Sequence, residues 1–160
     1  MIEQWAAALE ATALAAALRN SVWSYPLVNA AHILGVALLV GSIVPLDLRL
    51  LGAWRSVPLA PMWRVLTHTG GIGLVLAIVF GTLLFITRAT EYIASNFFIA
   101  KMIGVALGMA NVLTLRILRG QGSEMALTYA KPPLPVRLAA GLSLVTWLTA
   151  LTLGRLVGYF

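Results

Sequence analysis

Four stretches of this chain are apolar for long enough to cross a bilayer, and nothing else in the sequence constrains it as strongly. A hydrocarbon core needs about 20 apolar residues per helix. The runs extend from about Pro26 to Leu51, Met62 to Thr87, Asn96 to Leu118 and Pro135 to Tyr159. Inside lipid the backbone must satisfy its own hydrogen bonds, so runs of this length are expected to be helices. Composition points the same way: 61% of the 160 residues are hydrophobic and 10% are charged. A soluble domain carries about 25% charged residues. This balance excludes an ordinary soluble enzyme, a disordered chain and a nucleic-acid module. The absence of cysteine excludes disulfides, thiolate metal sites and cysteine nucleophiles.

The predicted fold is all-α: an integral membrane up-down four-helix bundle over residues 21–160, preceded by an N-terminal interfacial amphipathic helix over residues 1–20. Pro26 suits a first helical turn. The run Lys131-Pro132-Pro133-Leu134-Pro135 breaks any helix ahead of the fourth span, and Gly120-Gln121-Gly122-Ser123 ends the third. The N-terminus lacks a basic leader region and a cleavage pattern, so it does not read as a signal peptide. Ile2, Trp5, Leu9, Ala13 and Ala16 fall near one face, as in a helix lying in the membrane interface; the other reading is a leader without a role.

Charge sets the expected orientation. Arg49, Arg55, Arg64, Arg116, Arg119, Lys131 and Arg137 share one side with Asp47 and Glu124, seven bases and two acids, net +5. Arg19, Arg88, Lys101 and Arg155 share the other with Glu3, Glu10 and Glu91, four bases and three acids, net +1. The positive-inside rule then places the first side in the cytoplasm and both termini outside, in a bacterial inner membrane. Trp54 and Trp63 are expected at the inner interface, and Trp23, Tyr25, Tyr92 and Tyr159 at the outer. The short connection from Arg88 to Ser95 predicts that the second and third spans are antiparallel neighbours. Small residues at steps of four, Ala100-Gly104-Gly108 and Gly154-Gly158, are candidate helix contacts. Pro45, four residues after Gly41, predicts a kink there.

Polar residues within the spans carry the functional signal, because ionisable groups in a membrane are costly. His32 lies about 9 Å below the outer end of its helix, at about 1.5 Å per residue. It shares a face with Asn29, Gly35, Val36 and Leu39, and Gly35 leaves room for a flat group. Neutral imidazole is a frequent metal ligand and the usual axial ligand of b-type haem. The structural alternative is a hydrogen bond to a neighbouring backbone or to Asn29. His68 opens the glycine-rich run His68-Thr69-Gly70-Gly71-Ile72-Gly73, which admits a planar ligand or another backbone. One haem held between both histidines is disfavoured by depth, roughly 27 Å against roughly 9 Å above the inner end. Two polar layers are expected instead. The outer layer holds His32, Asn29, Lys101, Met102 and Arg155, with Lys101 and Arg155 suited to carboxylates or to snorkelling, and Met102 to a weak axial bond. The inner layer holds Asp47, Arg49, His68, Asn111 and Arg116, with Asp47 and Arg49 read as an ion pair and Asn111 as an interhelical bridge. Trp147, mid-span, needs a partner for its N–H or a surface to stack on. There is no Ser-His-Asp set, paired intramembrane carboxylate or phosphate loop, so no catalytic constellation is evident.

Tyr25-Pro26, His32-Ile33-Leu34-Gly35, Gly41 and above all Asp47-Leu48-Arg49-Leu50-Leu51-Gly52 resemble an uncharacterised bacterial family of small four-helix membrane proteins. Lys101-Met102, Asn111, Trp147 and Gly154-Arg155 fit the same pattern, so the likeness covers about residues 20–160, with Asn29 where relatives carry an acid. His32 followed by glycine and proline, with a lysine opening the third helix, is more distantly similar to copper-resistance membrane proteins, membrane protoporphyrinogen oxidases and cytochrome b-like bundles. The resemblance implies an up-down bundle of a kind several of whose members bind haem b, with no assigned reaction.

Three functions remain open at this point. One is a haem-b redox bundle with His32 as the ligand and a redox partner or membrane complex. Another is a non-haem membrane subunit or transport accessory for copper or a small acidic solute. The last is an assembly protein without chemistry. All three share the lipid bilayer as partner, and none involves nucleic acid.

Overall fold

The computed structural model describes residues 1–120 and 132–159, without the side chains of residues 116 and 118–120. The expected roles of Arg116, Arg119, Gln121, Gly122, Ser123, Glu124 and Lys131 lie outside the described residues. The described chain folds into seven helices and no strand: α1 (Ile2–Glu10), α2 (Ala13–Asn20), α3 (Ser24–Leu51), α4 (Leu59–Thr87), α5 (Ala89–Ala94), α6 (Asn96–Gly120) and α7 (Leu134–Leu156). Helices α3, α4, α6 and α7 are each long and apolar enough to cross a membrane. They turn apolar side chains such as Ile33, Leu34, Val75, Ile103 and Leu142 outward, an outer surface suited to lipid rather than water. This is a multi-pass membrane bundle.

Packing follows the small residues. Gly35 of α3 and Gly73 of α4 lie backbone to backbone, and a Cβ on Gly73 would sit 2.5 Å from the Leu39 N and 2.7 Å from the Gly35 O. Lipid tails are as apolar as leucine, so helices associate where small residues let backbones meet. The same seam continues with Gly70 against Ser42. Along α6 and α7, Gly104 meets Ala150, Gly108 meets the Trp147 indole, and Gly154 meets the Lys101 stem. Two expected contacts do not form: Ala100 is exposed, and the space beside Gly158 holds only its own helix. Asn111 Nδ2 donates to the Ala139 carbonyl at 2.9 Å, bridging α6 to α7 as expected. Pro45 lies within α3, which continues as helix to Leu51.

The helices pack in the order α4, α3, α7, α6. Contrary to the expectation from their short connection, α4 and α6 are not packed neighbours among the described residues. The six-residue α5 spaces them, and a ring cluster of Phe85, Tyr92 and Phe98 (centroids 5.1 to 6.1 Å apart) joins their outer ends. Two hairpins, α3–α4 and α6–α7, therefore meet through α3 and α7 and leave a cleft between α4 and α6.

At the inner end Leu46, Leu50, Leu59, Trp63 and Ala140 form the core. Trp63 is 7% exposed and belongs to this core rather than to the interface. The α3–α4 turn begins at Gly52, whose φ of 117° requires glycine. Arg49 is buried and staples that turn, its Nε donating to the Val57 carbonyl at 3.0 Å and its Nη2 to Arg55 at 3.4 Å. Arg49→Met is expected to lower stability by about 1–3 kcal/mol, since it removes the charged donor that ties two turn carbonyls to the buried end of α3. Unfolding in mixed detergent measures it, and unchanged stability would show the staple to be idle.

The N-terminal segment is two helices, not one. Thr12 breaks it: its hydroxyl donates to the Leu9 carbonyl at 2.7 Å and accepts from the Ala15 N–H at 3.3 Å, capping α2. The pair docks on the outer end of the bundle. Glu10 Oε1 accepts from the Thr90 N–H and hydroxyl, both at 2.7 Å, and Arg19 Nη1 donates to the Thr87 carbonyl that ends α4. The Thr90 hydroxyl, and next its N–H, hold the Glu10 carboxyl below the ordinary carboxylate range. This support is complete above the ordinary value and is lost as pH falls through the lowered one. Acid, and Glu10→Gln at neutral pH, should therefore raise amide hydrogen exchange in residues 2–20 several-fold while the spans stay protected. Unchanged exchange would rule out Glu10 as the anchor.

Candidate functional site

Two cavities lie end to end in the cleft between the hairpins. The outer one, about 350 Å³, is walled mainly by apolar side chains from all four long helices. His32 and Lys101 supply its polar chemistry, Met102 and Trp147 line it, and Phe85 and Phe98 belong to both its wall and the ring cluster. The inner one, about 290 Å³, is lined by Asp47, Ser143, Ser42 and Trp63 among others. Leu39, Leu74 and Trp147 line both and form the partition.

His32 is held by backbone. Its Nδ1 lies 2.9 Å from the Ala77 carbonyl of α4. A carbonyl only accepts, so Nδ1 carries the proton and Nε2 keeps the lone pair. Gly81, four residues on, makes this possible, because a Cβ there would stand 3.0 to 3.1 Å from the imidazole. The room expected beside Gly35 is instead filled by α4 itself. Lys101 makes no hydrogen bond or ion pair among the described residues; its Nζ sits 5.3 Å from the Phe98 ring centroid.

The outer layer expected from sequence is thus partly assembled. His32, Lys101, Met102 and Trp147 converge on one cavity. Asn29 is exposed and stands outside its wall. Arg155 also stands outside, since it hydrogen-bonds the Tyr159 hydroxyl and stacks 4.7 Å from that ring. The expected inner layer disperses. His68 is exposed on another face of α4, beside Arg64 and Ile72. His32 faces Ala77, nine residues along α4 from His68 or about 14 Å, so the two histidines occupy separate levels. Asp47 and Arg49 do not pair; Arg88–Glu91 is the one ion pair among the described residues. Residues two apart on a helix face different ways. Arg49 serves the turn, Asn111 serves the α6–α7 contact, and Asp47 hydrogen-bonds Ser143.

Sequence reasoning passed over Ser42 and Ser143, both 2–3% exposed, and the extension of the expected Gly70-Gly73 approach to Ala77 and Gly81 along one α4 stripe, while the backbone that Gly73 was expected to admit is that of α3. That stripe was visible as small residues at helical spacing. The Ala77 carbonyl had no signal, because every residue carries one. Among the described residues no three His, Asp or Glu side chains group as a metal site. No family model matches the chain, and no curated protein or solved structure matches it either.

Proposed function

We propose that this protein is a membrane redox bundle whose outer cavity would hold haem b, with His32 Nε2 as the nitrogen that would ligate it. The observation that carries the reading is the Nδ1–H···O=C bond to Ala77. Ligating histidines characteristically donate their other nitrogen to such a partner, which fixes tautomer and ring orientation. The donor set fits the group. The cavity is apolar, Met102 offers a sulfur in the same wall, and Lys101 offers an unpaired ammonium for a carboxylate. Haem would supply a one-electron centre whose potential depends on axial ligand and burial. Kinship with cytochrome b-like bundles belongs to the same proposal. Expression with haem supplementation and purification in detergent should give a Soret band near one equivalent per chain. A colourless protein would overturn the reading.

Lys101 favours a second reading, a non-haem accessory that binds a small acidic solute. A colourless protein that binds a carboxylate, and loses it in Lys101→Met, would select it. Neither signal would leave an assembly role.

The charge asymmetry supports placement in a bacterial inner membrane with both termini outside. The absence of cysteine makes this simple to test. In spheroplasts, Gln4→Cys should react with an impermeant maleimide at once, and Ser56→Cys only after permeabilisation. The reverse pattern would invert the topology.

A further inference from the structure

The inner cavity contains chemistry that the haem proposal does not use. Asp47 is 3% exposed and its Oδ2 has no hydrogen-bond partner. Trp147 is 4% exposed and its Nε1 has none either. Both side chains line the same space of about 290 Å³. Native proteins rarely leave buried polar atoms unpaired, and an unpaired buried carboxylate is among the costlier cases. Asp47 is hydrogen-bonded to the Ser143 hydroxyl, 2% exposed itself. Among the described residues no base pairs with it: Arg49, two residues on, is turned to the α3–α4 turn.

The rest of the wall defines what would complete it. Trp63 and Trp147 contribute indole rings, Ser42 a hydroxyl and Met109 a thioether, Thr67 has its hydroxyl bound to the Trp63 carbonyl at 2.7 Å, and the remainder is aliphatic or glycine. A buried carboxylate beside two indoles in an apolar space suits a cation with an apolar body. A metal ion would need several oxygen ligands, and the described wall has one carboxylate. An anion would meet Asp47 at close range. We infer that the inner cavity is a binding site for a small alkylammonium ion, with Asp47 Oδ2 accepting from the ammonium and the indoles of Trp63 and Trp147 packing on its hydrocarbon.

The test is a matched pair of probes on the full chain in detergent, cyclohexylmethylamine at neutral pH and its neutral counterpart cyclohexylmethanol. Tryptophan fluorescence and calorimetry read the binding. The amine should bind saturably, at least tenfold more tightly than the alcohol, and Asp47→Asn should remove that preference. Ser143→Ala should weaken amine binding by a smaller factor. Equal affinity of the two probes for the unaltered protein would overturn the inference without any variant. So would absence of saturable amine binding, or a folded Asp47→Asn protein that keeps its preference. The Soret band reports on the outer cavity, so failure of either proposal is distinguishable from failure of the other.

Discussion

Gly73→Ala is expected to lower bundle stability by about 3 kcal/mol, the upper part of the usual range for overpacking a tight contact. The added methyl would stand 2.5 Å from the Leu39 N and 2.7 Å from the Gly35 O, both backbone atoms. A side chain can rotate away from such a clash, but a helix backbone cannot, so α3 and α4 must separate along their length. Gly35→Ala should act similarly, with its methyl 2.6 Å from the Ala77 N. Gly41→Ala and Gly71→Ala are the controls. Nothing lies within 4 Å of either methyl, so they should be neutral or slightly stabilising. Unfolding by mixed detergent measures all four. A Gly73→Ala protein as stable as the controls would mean that the α3–α4 contact is not the organising one. Separation of the hairpin should also draw the Ala77 carbonyl from His32, so Gly73→Ala should weaken the Soret band as well.

His32→Ala should abolish the Soret band altogether while the protein stays helical and monodisperse. Among the described residues of the outer cavity wall the imidazole is the one nitrogen ligand besides the Lys101 ammonium, and an ammonium has no lone pair. Gly81→Ala tests the positioning separately. Its methyl would stand 3.0 Å from His32 Cε1 and 3.1 Å from Nδ1, so the ring must give by a few tenths of an ångström. Haem affinity should fall by about tenfold, the lower end for changes that disturb a ligand's supporting hydrogen bond. A band of full intensity in His32→Ala would remove the axial role. Lys101→Met should leave the band and weaken retention of haem during dilution, because it removes a charge partner rather than a ligand.

Much of the site was legible because its signals are local. A histidine within an apolar run stands out at any alignment of helices, and counting depth was enough to separate His32 from His68. Asp47 was misassigned through sequence proximity to Arg49. The helical period already turns residues two apart away from each other. The run Asp47-Leu48-Arg49-Leu50-Leu51-Gly52 has a distinct physical reason at four of its six positions. Asp47 meets Ser143, Arg49 holds the turn, Leu50 enters the core and Gly52 takes the left-handed conformation. Glycines were legible as contacts but not as to what they contact. Gly35 and Gly73 serve each other's backbones, and Gly81 serves an imidazole.

The sequence by itself determined the helical class, the four spans and the scarcity of polar groups inside them. Run length, hydropathy and helix period are properties of neighbouring residues, and the bilayer permits few other structures. The tertiary structure alone decided that α4 and α6 stand apart, that the cleft between them holds two cavities, and that Asp47 meets Ser143 in a cavity it shares with an unpaired indole. Those outcomes depend on which small residues meet across helices far apart in the chain. The energies of alternative pairings differ by only a few close contacts, and no local pattern ranks them.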